Sequence, residues 1–265
     1  MDKKLGFIGC GNMGGAILMG VINKNAIAKE NVAVVVKSEK SKAKYKELGI
    51  KVCENVKELC QWCDVAVLAV KPYMAKDALS EGKEALKNKV LVSVAAGLTV
   101  DMLKHMTDNE ARILRTMPNT PALIGEGVMI MCEETDVTAE EKAFVEKIYE
   151  ANGNIYWISE KLMDAAGTVA GCTPAFVAMF IEALADGGVR EGVPRDLAYR
   201  LAENSVYGSA KMMLETGLSP SVMKDMVCSP GGTTIEGVAA LEEGGMRHAV
   251  IDCIHRSTEK TKKLV

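Results

Sequence analysis

The fold is decided by Leu5-Gly6-Phe7-Ile8-Gly9-Cys10-Gly11-Asn12-Met13-Gly14-Gly15-Ala16. Its first four residues form a short apolar run, which is typical of a buried strand. The next six match G-x-G-x-x-G without a gap, and an apolar, helix-like segment follows as far as Ile22. A strand, a glycine turn and a helix in this order are the context that a dinucleotide-binding motif requires. We therefore predict that dinucleotide phosphates bind at this turn.

Each motif glycine has its own physical role. Gly9 permits the tight turn, Gly11 lets a pyrophosphate approach the backbone because it has no Cβ, and Gly14 lets the helix pack close to the strand. The start of the helix adds free N–H groups and the positive end of the helix dipole. The alternative is a glycine-rich turn that holds no ligand.

The segment after the second apolar run bears on the choice of cofactor. Asn31 to Val36 predicts a buried strand, and Lys37-Ser38-Glu39-Lys40 follows it. An NAD site usually carries an acid here, whereas a lysine and a hydroxyl suit the 2′-phosphate of NADP. Ser38 also fits a helix cap with Glu39 in the first turn. We predict NADPH as the cofactor, with NADH as the alternative that Glu39 keeps open.

Strand-like and helix-like segments continue to alternate as far as Ile158, with strand-like runs at 65–70, 90–94, 113–117, 127–131 and 154–158. This alternation is typical of an α/β fold with a doubly wound, mostly parallel sheet that binds ligands at the carboxyl ends of its strands. We predict a Rossmann-like dinucleotide-binding domain over residues 1–160. Ala69 to Pro72 and Ala95 to Gly97 fall at strand ends on the cofactor edge, although tight turns would have the same composition.

After Glu160 the pattern becomes helical, and residues 161–265 are predicted to form an all-α domain. Thr173-Pro174 predicts a helix that begins there and runs to about Gly187, with the proline at its first position. The segment Phe176 to Leu184 is apolar on nearly all sides. Such a helix is buried, and in so small a domain a second subunit is the expected cover. The alternative is a monomeric helical bundle.

The composition excludes several classes of function. The 265 residues carry a net charge of -3, which gives no support to a nucleic-acid or membrane-surface partner. We expect neither a signal peptide nor an apolar run long enough to span a bilayer. Eight scattered cysteines without a secretion signal favour reduced thiols in the cytoplasm. Cys60 and Cys63 form a lone C-x-x-C without further ligands at metal-site spacing, so no metal site is predicted.

A second informative stretch is Ser229-Pro230-Gly231-Gly232-Thr233-Thr234-Ile235-Glu236-Gly237. Two glycines free the backbone, and two threonines stand where a helix begins. Several unpaired N–H groups at such a point favour a carboxylate, and the hydroxyls suit a polar atom of a substrate. The alternative is that Thr233 only caps the helix.

Taken together, these motifs resemble those of the pyrroline-5-carboxylate reductase family along nearly the whole chain. The matching pieces are 7–13, 69–72, 95–97, 117–121, 183–189 and 229–235. The resemblance implies NAD(P)H-dependent reduction of 1-pyrroline-5-carboxylate to L-proline, the last step of proline biosynthesis. It also implies a C-terminal helical domain that forms a homodimer by interleaving, and a higher homo-oligomer is compatible with it.

The resemblance also assigns roles to individual residues. The substrate carboxylate is expected on the backbone amides of Gly232, Thr233 and Thr234, with the catalytic Thr234 hydroxyl on the ring nitrogen. Glu160 is expected on the substrate side, and its alternative is a solvated acid at a helix start. The cofactor is expected on Ile8, Gly9, Cys10, Gly11, Asn12, Met13, Ser38, Ala69, Val70, Lys71, Pro72, Ala95, Ala96 and Gly97.

Two other functions compete with this hypothesis. A β-hydroxyacid dehydrogenase needs an acid or base for the hydroxyl proton, usually a lysine on the first long C-terminal helix. The chain has no lysine between Lys161 and Lys211. Reduction of an already electrophilic imine carbon needs alignment more than acid–base catalysis, which suits this absence. The third possibility is a non-catalytic NADP-binding sensor.

Overall fold

The strands and helices come from a computed structural model, which describes residues 3–263. Within them the strands are β1 (Leu5–Ile8), β2 (Val32–Val35), β3 (Lys51–Val52), β4 (Val65–Leu68), β5 (Val90–Ser93), β6 (Arg112–Met117), β7 (Gly127–Cys132) and β8 (Gly153–Ile158). The helices of the α/β part are α1 (Asn12–Asn23), α2 (Glu39–Glu47), α3 (Val56–Trp62), α4 (Pro72–Gly82), α5 (Val100–Met106) and α6 (Ala139–Glu150). The later helices are α7 (Met163–Arg190), α8 (Arg195–Thr216), α9 (Pro220–Val227), α10 (Thr233–Glu243) and α11 (Met246–Thr261).

The strands form one sheet in the order β3-β2-β1-β4-β5-β6-β7-β8. Neighbouring strands are parallel except β6 and β7, which are antiparallel. The predicted fold class, a doubly wound and mostly parallel sheet followed by an all-α region, is confirmed. The order reverses beside β1, so the crevice that binds ligands in such sheets opens at the carboxyl ends of β1 and β4. The short elements β3, α3 and α5 are not predicted by the sequence pattern.

The strands β1, β4 and β5, which carry the crevice, are buried over their full length. Apolar side chains cover both faces, with Leu59 and Leu79 in one cluster and Leu18 and Tyr149 in the other. Burial on both faces explains why these strands are continuous apolar runs without polar alternation.

The chain divides into two compact units. The first comprises the chain up to Cys172 together with the segment from Ser257 onward, and the second is Thr173–Arg256. We predict a domain boundary between residues 160 and 161, and the division into units falls twelve residues later, inside α7. The difference has a physical cause, because the first turns of α7 pack on β6. Arg115 pairs with Asp164, and the side chain of Met117 lies against Gly167.

The predicted start of the first long helix at Thr173-Pro174 is wrong, because Pro174 lies inside α7. A proline within a helix leaves the carbonyl four residues earlier without its usual N–H donor. That carbonyl belongs to Ala170, and the side chain of Asn119 donates to it through Nδ2 at 3.1 Å. The Oδ1 atom of Asn119 accepts from Val128 N at 2.9 Å. A buried asparagine from a distant loop therefore satisfies the helix at its proline.

The second unit by itself has almost no core. Its buried apolar residues among those described are Ala185, Ala198 and Ala202. Large apolar side chains stay uncovered instead: Met179 is 69% exposed and Leu184 is 44% exposed. Three buried alanines cannot offset the entropy of ordering more than eighty residues, so this apolar surface requires a cover.

The helical segment Glu160–Arg190 is long and apolar enough to cross a membrane, by length and composition alone. The expectation that no apolar run reaches this length is therefore wrong. A single segment of this kind is weak evidence for a membrane span, because a helix buried between subunits has the same composition.

Candidate functional site

The geometry of the glycine turn fits the separate roles predicted for its three glycines. Gly9 has φ +82°, and a Cβ added to it would lie 2.7 Å from the Val70 side chain. A Cβ on Gly14 would lie 2.8 Å from the Ala69 Cβ. A Cβ on Gly11, in contrast, would meet no described atom within 4 Å. The chain therefore leaves open space at the one glycine that a pyrophosphate is expected to approach.

Helix α1 begins directly after this open position. Gly11 is its N-cap, and within the part of the chain that the structure describes no side chain caps the helix. The first helical residues are Asn12 and Met13, whose N–H groups have no carbonyl one turn earlier in the helix to bond. An uncapped helix start beside open space suits a phosphate group, and phosphate binding here stays a prediction.

The sheet brings the other predicted cofactor segments to the same edge. Ala69 N donates to Ile8 O at 2.9 Å, and Val94 N donates to Leu68 O at 3.1 Å. The segments Ala69 to Pro72 and Ala95 to Gly97 thus follow adjacent strands and lie beside the glycine turn. Their contacts with a cofactor stay a prediction.

Tyr45 on α2 supports the glycine turn, although no sequence motif indicates it. Its hydroxyl donates to Cys10 O at 3.1 Å, and its ring is buried. The available signal was a single aromatic residue in a helix rich in lysine and glutamate. Burial raises the pKa of the Cys10 thiol to about 11, so the thiol adds no negative charge next to the expected phosphates.

At the end of β2, the alternative role of Ser38 as a helix cap is confirmed. Its Oγ accepts from Ser41 N at 3.1 Å and caps α2. Glu39 is exposed and pairs with Lys42 Nζ at 2.9 Å. The hydrogen bond from Lys42 lowers the pKa of the Glu39 carboxyl, so this acid stays charged and already has a cationic partner. The cap leaves the serine side chain exposed, which is compatible with a second role toward a phosphate.

In the second unit, Ser229 to Gly232 form a tight β-turn. Gly232 N donates to Ser229 O at 3.0 Å, Pro230 is the second residue and Gly231 has φ +65°. A proline at the second position of the turn and a residue with positive φ at the third are typical of a type II turn. In this structure the turn uses the Gly232 N–H group, and its contact with the substrate carboxylate stays a prediction.

The turn leads directly into α10. Gly232 is the N-cap with extended dihedral angles, and no side chain of the described residues caps the helix. The alternative that Thr233 caps the helix is therefore wrong. Thr233 and Thr234 are the first two helical residues and both are exposed. A Cβ on Gly232 would lie 2.9 Å from Ser229 Oγ, so the position favours glycine.

Glu160 makes its contacts inside the first unit. Its Oε1 atom accepts from Val100 N at 2.7 Å and lies 3.2 Å from Arg115 Nη1. Glu160 also opens the short 3-10 turn before α7, as the alternative of a helix-start acid expects. Its contact with the substrate stays a prediction, and the present contacts give its carboxylate another role.

The C-x-x-C motif is buried. Cys60 lies on α3 and Cys63 ends it, and burial raises the pKa of both thiols to about 12. Thiols in this state are poor metal ligands and poor nucleophiles. Among the described residues, no group of three or more His, Cys, Asp or Glu side chains could hold a metal ion.

Comparison with protein families gives two matches. Residues 160–264 match the family described as pyrroline-5-carboxylate reductase dimerisation. Residues 4–97 match the family described as NADP oxidoreductase, coenzyme F420-dependent. The two matches cover the helical part and the glycine-turn half of the α/β part.

Individual relatives match over their full length. The chain is 45% identical to pyrroline-5-carboxylate reductase of Escherichia coli K12, covering 100% of this chain and 99% of that protein. It is 39% identical to the Arabidopsis thaliana protein of the same name, covering 98% and 95%. The structure of Plasmodium falciparum pyrroline carboxylate reductase with NADP bound superposes with a TM-score of 0.92 at 36% identity, covering 99% and 98%.

Proposed function

The chain belongs to the pyrroline-5-carboxylate reductase family, and from this premise we propose how its residues carry out the reduction of 1-pyrroline-5-carboxylate to L-proline by NAD(P)H. The observation that carries this function is identity of 37–45% along essentially the whole chain to pyrroline-5-carboxylate reductases of bacteria, an archaeon and a plant. Both the glycine turn and the 229–235 loop lie within that match.

The cofactor lies at the carboxyl edge of the sheet. Bound NADPH supplies the hydride. The first N–H groups of α1 hold the pyrophosphate, and Gly11 gives it room to approach. Tyr45 keeps the glycine turn in place through Cys10 O. The whole set proposed to hold the cofactor is Ile8 to Met13, Ser38, Ala69 to Pro72 and Ala95 to Gly97.

The substrate lies at the start of α10. The N–H groups of Thr233 and Thr234 hold its carboxylate, aided by the positive end of the helix dipole. The N–H group of Gly232 is engaged in the turn, so Gly232 contributes by letting the substrate approach the backbone closely. The Thr234 hydroxyl bonds the ring nitrogen, which fixes the plane of the imine and holds a proton at that atom. The chain thus supplies alignment, which is what an electrophilic imine carbon needs.

The assembly is a homodimer, and a higher homo-oligomer is compatible with it. Support comes from the uncovered apolar side chains of the second unit and from the dimerisation family that matches residues 160–264. The eight cysteines, all of which lie in the described residues, are free thiols. Free thiols fit the reducing environment of the cytoplasm, which we propose as the compartment.

A Ser38→Asp variant should lose its preference for NADPH over NADH. Aspartate caps a helix as well as serine does, so α2 and the overall stability should not change. The added charge repels the 2′-phosphate, and kcat/KM for NADPH should fall about ten-fold or more. Side-by-side steady-state kinetics with both cofactors measure this. Unchanged NADPH kinetics in the variant, or a wild type that prefers NADH, would contradict the placement of Ser38.

The function itself is tested by product analysis. The purified protein should oxidise NADPH and form proline in equal amounts when 1-pyrroline-5-carboxylate is added. A β-hydroxyacid dehydrogenase would instead reduce NADP⁺ with a hydroxy acid. A non-catalytic sensor would bind NADPH without turnover.

A further inference from the structure

We propose that Glu160 and Arg115 are positioning residues for the cofactor, because together they fix the far end of the loop that follows β5. This loop runs from Ala95 through Gly97 to Thr99 and leads directly into α5. The inference rests on the proposed function, in which Ala95 to Gly97 contact the cofactor. It gives Glu160 a role different from the substrate contact that the family resemblance implies.

The first step is the bond between Glu160 and the end of the loop. Glu160 Oε1 accepts from the backbone N–H of Val100, the first residue of α5, at 2.7 Å. The side chain of Thr99 accepts from Met102 N at 3.2 Å and caps the same helix. Two acceptors thus fix the start of α5, and one of them is a carboxylate from a distant segment. A charged acceptor on a backbone N–H forms a strong hydrogen bond.

The second step is the burial of Arg115. This residue lies in β6, is only 2% exposed and lies between the carboxylates of Glu160 and Asp164. A buried guanidinium requires such partners, so Arg115 restricts Glu160 to few orientations. The backbone N–H of Glu160 donates to Glu134 Oε2 at 2.6 Å, which fixes this residue from its other side. The Glu160 carboxylate that accepts from Val100 N is therefore held in place by Arg115 of the sheet.

The third step is that the loop is also held where it begins. Ala95 N donates to Ser93 Oγ at 3.3 Å, and Thr116 Oγ1 donates to Ser93 O at 3.1 Å. The Tyr149 hydroxyl lies 3.1 Å from Thr116 Oγ1, and all three side chains are buried. Between the two fixed ends lies Gly97 with φ +81°. A loop tied at both ends keeps its backbone ready for the cofactor, which lowers the entropy lost on binding.

The test compares Glu160→Ala with a matched variant, Glu141→Ala. Glu141 accepts from Arg112 Nε at 2.8 Å, so it pairs with the arginine at the opposite end of the same strand β6, away from the cofactor edge. NADPH binding is measured by calorimetry on the intact protein without substrate, and thermal unfolding of both variants is recorded alongside. Both variants should lose stability, because Glu160→Ala leaves the buried Arg115 and Glu141→Ala leaves the half-buried Arg112 short of a partner.

Only Glu160→Ala should weaken the binding of the cofactor. We expect its NADPH dissociation constant to rise about three- to ten-fold, because the lost hydrogen bond to Val100 N affects the cofactor only indirectly, through the position of the loop. Glu160→Gln keeps an oxygen for Val100 N and should recover part of the NADPH affinity.

Two results would overturn the proposal. One is a folded Glu160→Ala protein that binds NADPH with wild-type affinity. If this protein also has a raised KM for 1-pyrroline-5-carboxylate, Glu160 acts in substrate binding. The other is an equal loss of NADPH affinity in both variants, which would mean a general effect of stability. A wild type that binds NADPH but forms no proline would instead contradict the proposed function and leave the binding comparison valid.

Discussion

A Met179→Asp variant is expected to lose both its assembly and its stable fold. In a single chain this side chain is 69% exposed, where a substitution normally changes the free energy of unfolding by about 0.5 kcal/mol or less. In the proposed dimer we expect the same side chain to be buried, where an unpaired charge would cost several kcal/mol. Because the buried apolar residues of the second unit are three alanines, the monomer has little buried apolar surface to keep this unit folded.

Light scattering at micromolar concentration and circular dichroism measure the assembly and the fold of this variant. The matched control is Met102→Asp, which makes the same change on α5, where the side chain is 40% exposed and lies outside the residues that match the dimerisation family. The control should stay folded and keep its assembly. A wild type that is a stable monomer, or a Met179→Asp protein as stable as the control, would contradict the proposed dimer.

The second large effect is expected from Thr234→Ala. This substitution keeps the backbone N–H groups of α10 and removes only the hydroxyl proposed to bond the ring nitrogen. Loss of a hydrogen bond to a charged group costs about 1.5–3 kcal/mol, so kcat/KM for 1-pyrroline-5-carboxylate should fall about ten- to a hundred-fold. NADPH affinity, measured without substrate, should stay close to that of the wild type.

Thr233→Ala is the matched control for this prediction. Since Gly232 and not Thr233 is the N-cap of α10, removing the Thr233 hydroxyl takes no cap away from the helix. Its kinetic effect should therefore be small. If Thr233→Ala is the damaging change, the Thr233 hydroxyl and not the Thr234 hydroxyl bonds the ring nitrogen. If neither change affects the substrate, the substrate lies elsewhere.

The sequence predicts the sheet well because its central strands are buried on both faces. Leu5 to Ile8 lies between Lys4 and Gly9, and Val65 to Leu68 lies in an apolar run between Asp64 and Lys71, so the pattern itself indicates strands. The two residues of β3 are too few for any pattern. The sequence pattern places the start of α7 eleven residues late, at Pro174, because the compensating donor to Ala170 O is the distant Asn119. No local rule predicts that partner.

The site shows the same division between local and distant information. The glycine turn was predictable because a phosphate site of this type needs a strand, glycines and a helix in direct succession. The contacts of Glu160 were not, since Arg115 is 45 residues away in the chain and Val100 is 60 residues away. Nor does a glycine-rich sequence tell whether the Gly232 N–H is free or closes a turn. Side-chain partners brought together by folding decide these points.

The central claim is that the chain transfers a hydride from the nicotinamide to the imine carbon of 1-pyrroline-5-carboxylate. The most direct measurement uses NADPH deuterated at the transferable position of nicotinamide C4, with the proline formed analysed by mass spectrometry and NMR. We predict one deuterium per proline, on the ring carbon that was double-bonded to nitrogen. Oxidation of the deuterated NADPH without labelled proline, or deuterium at any other carbon, would contradict the account.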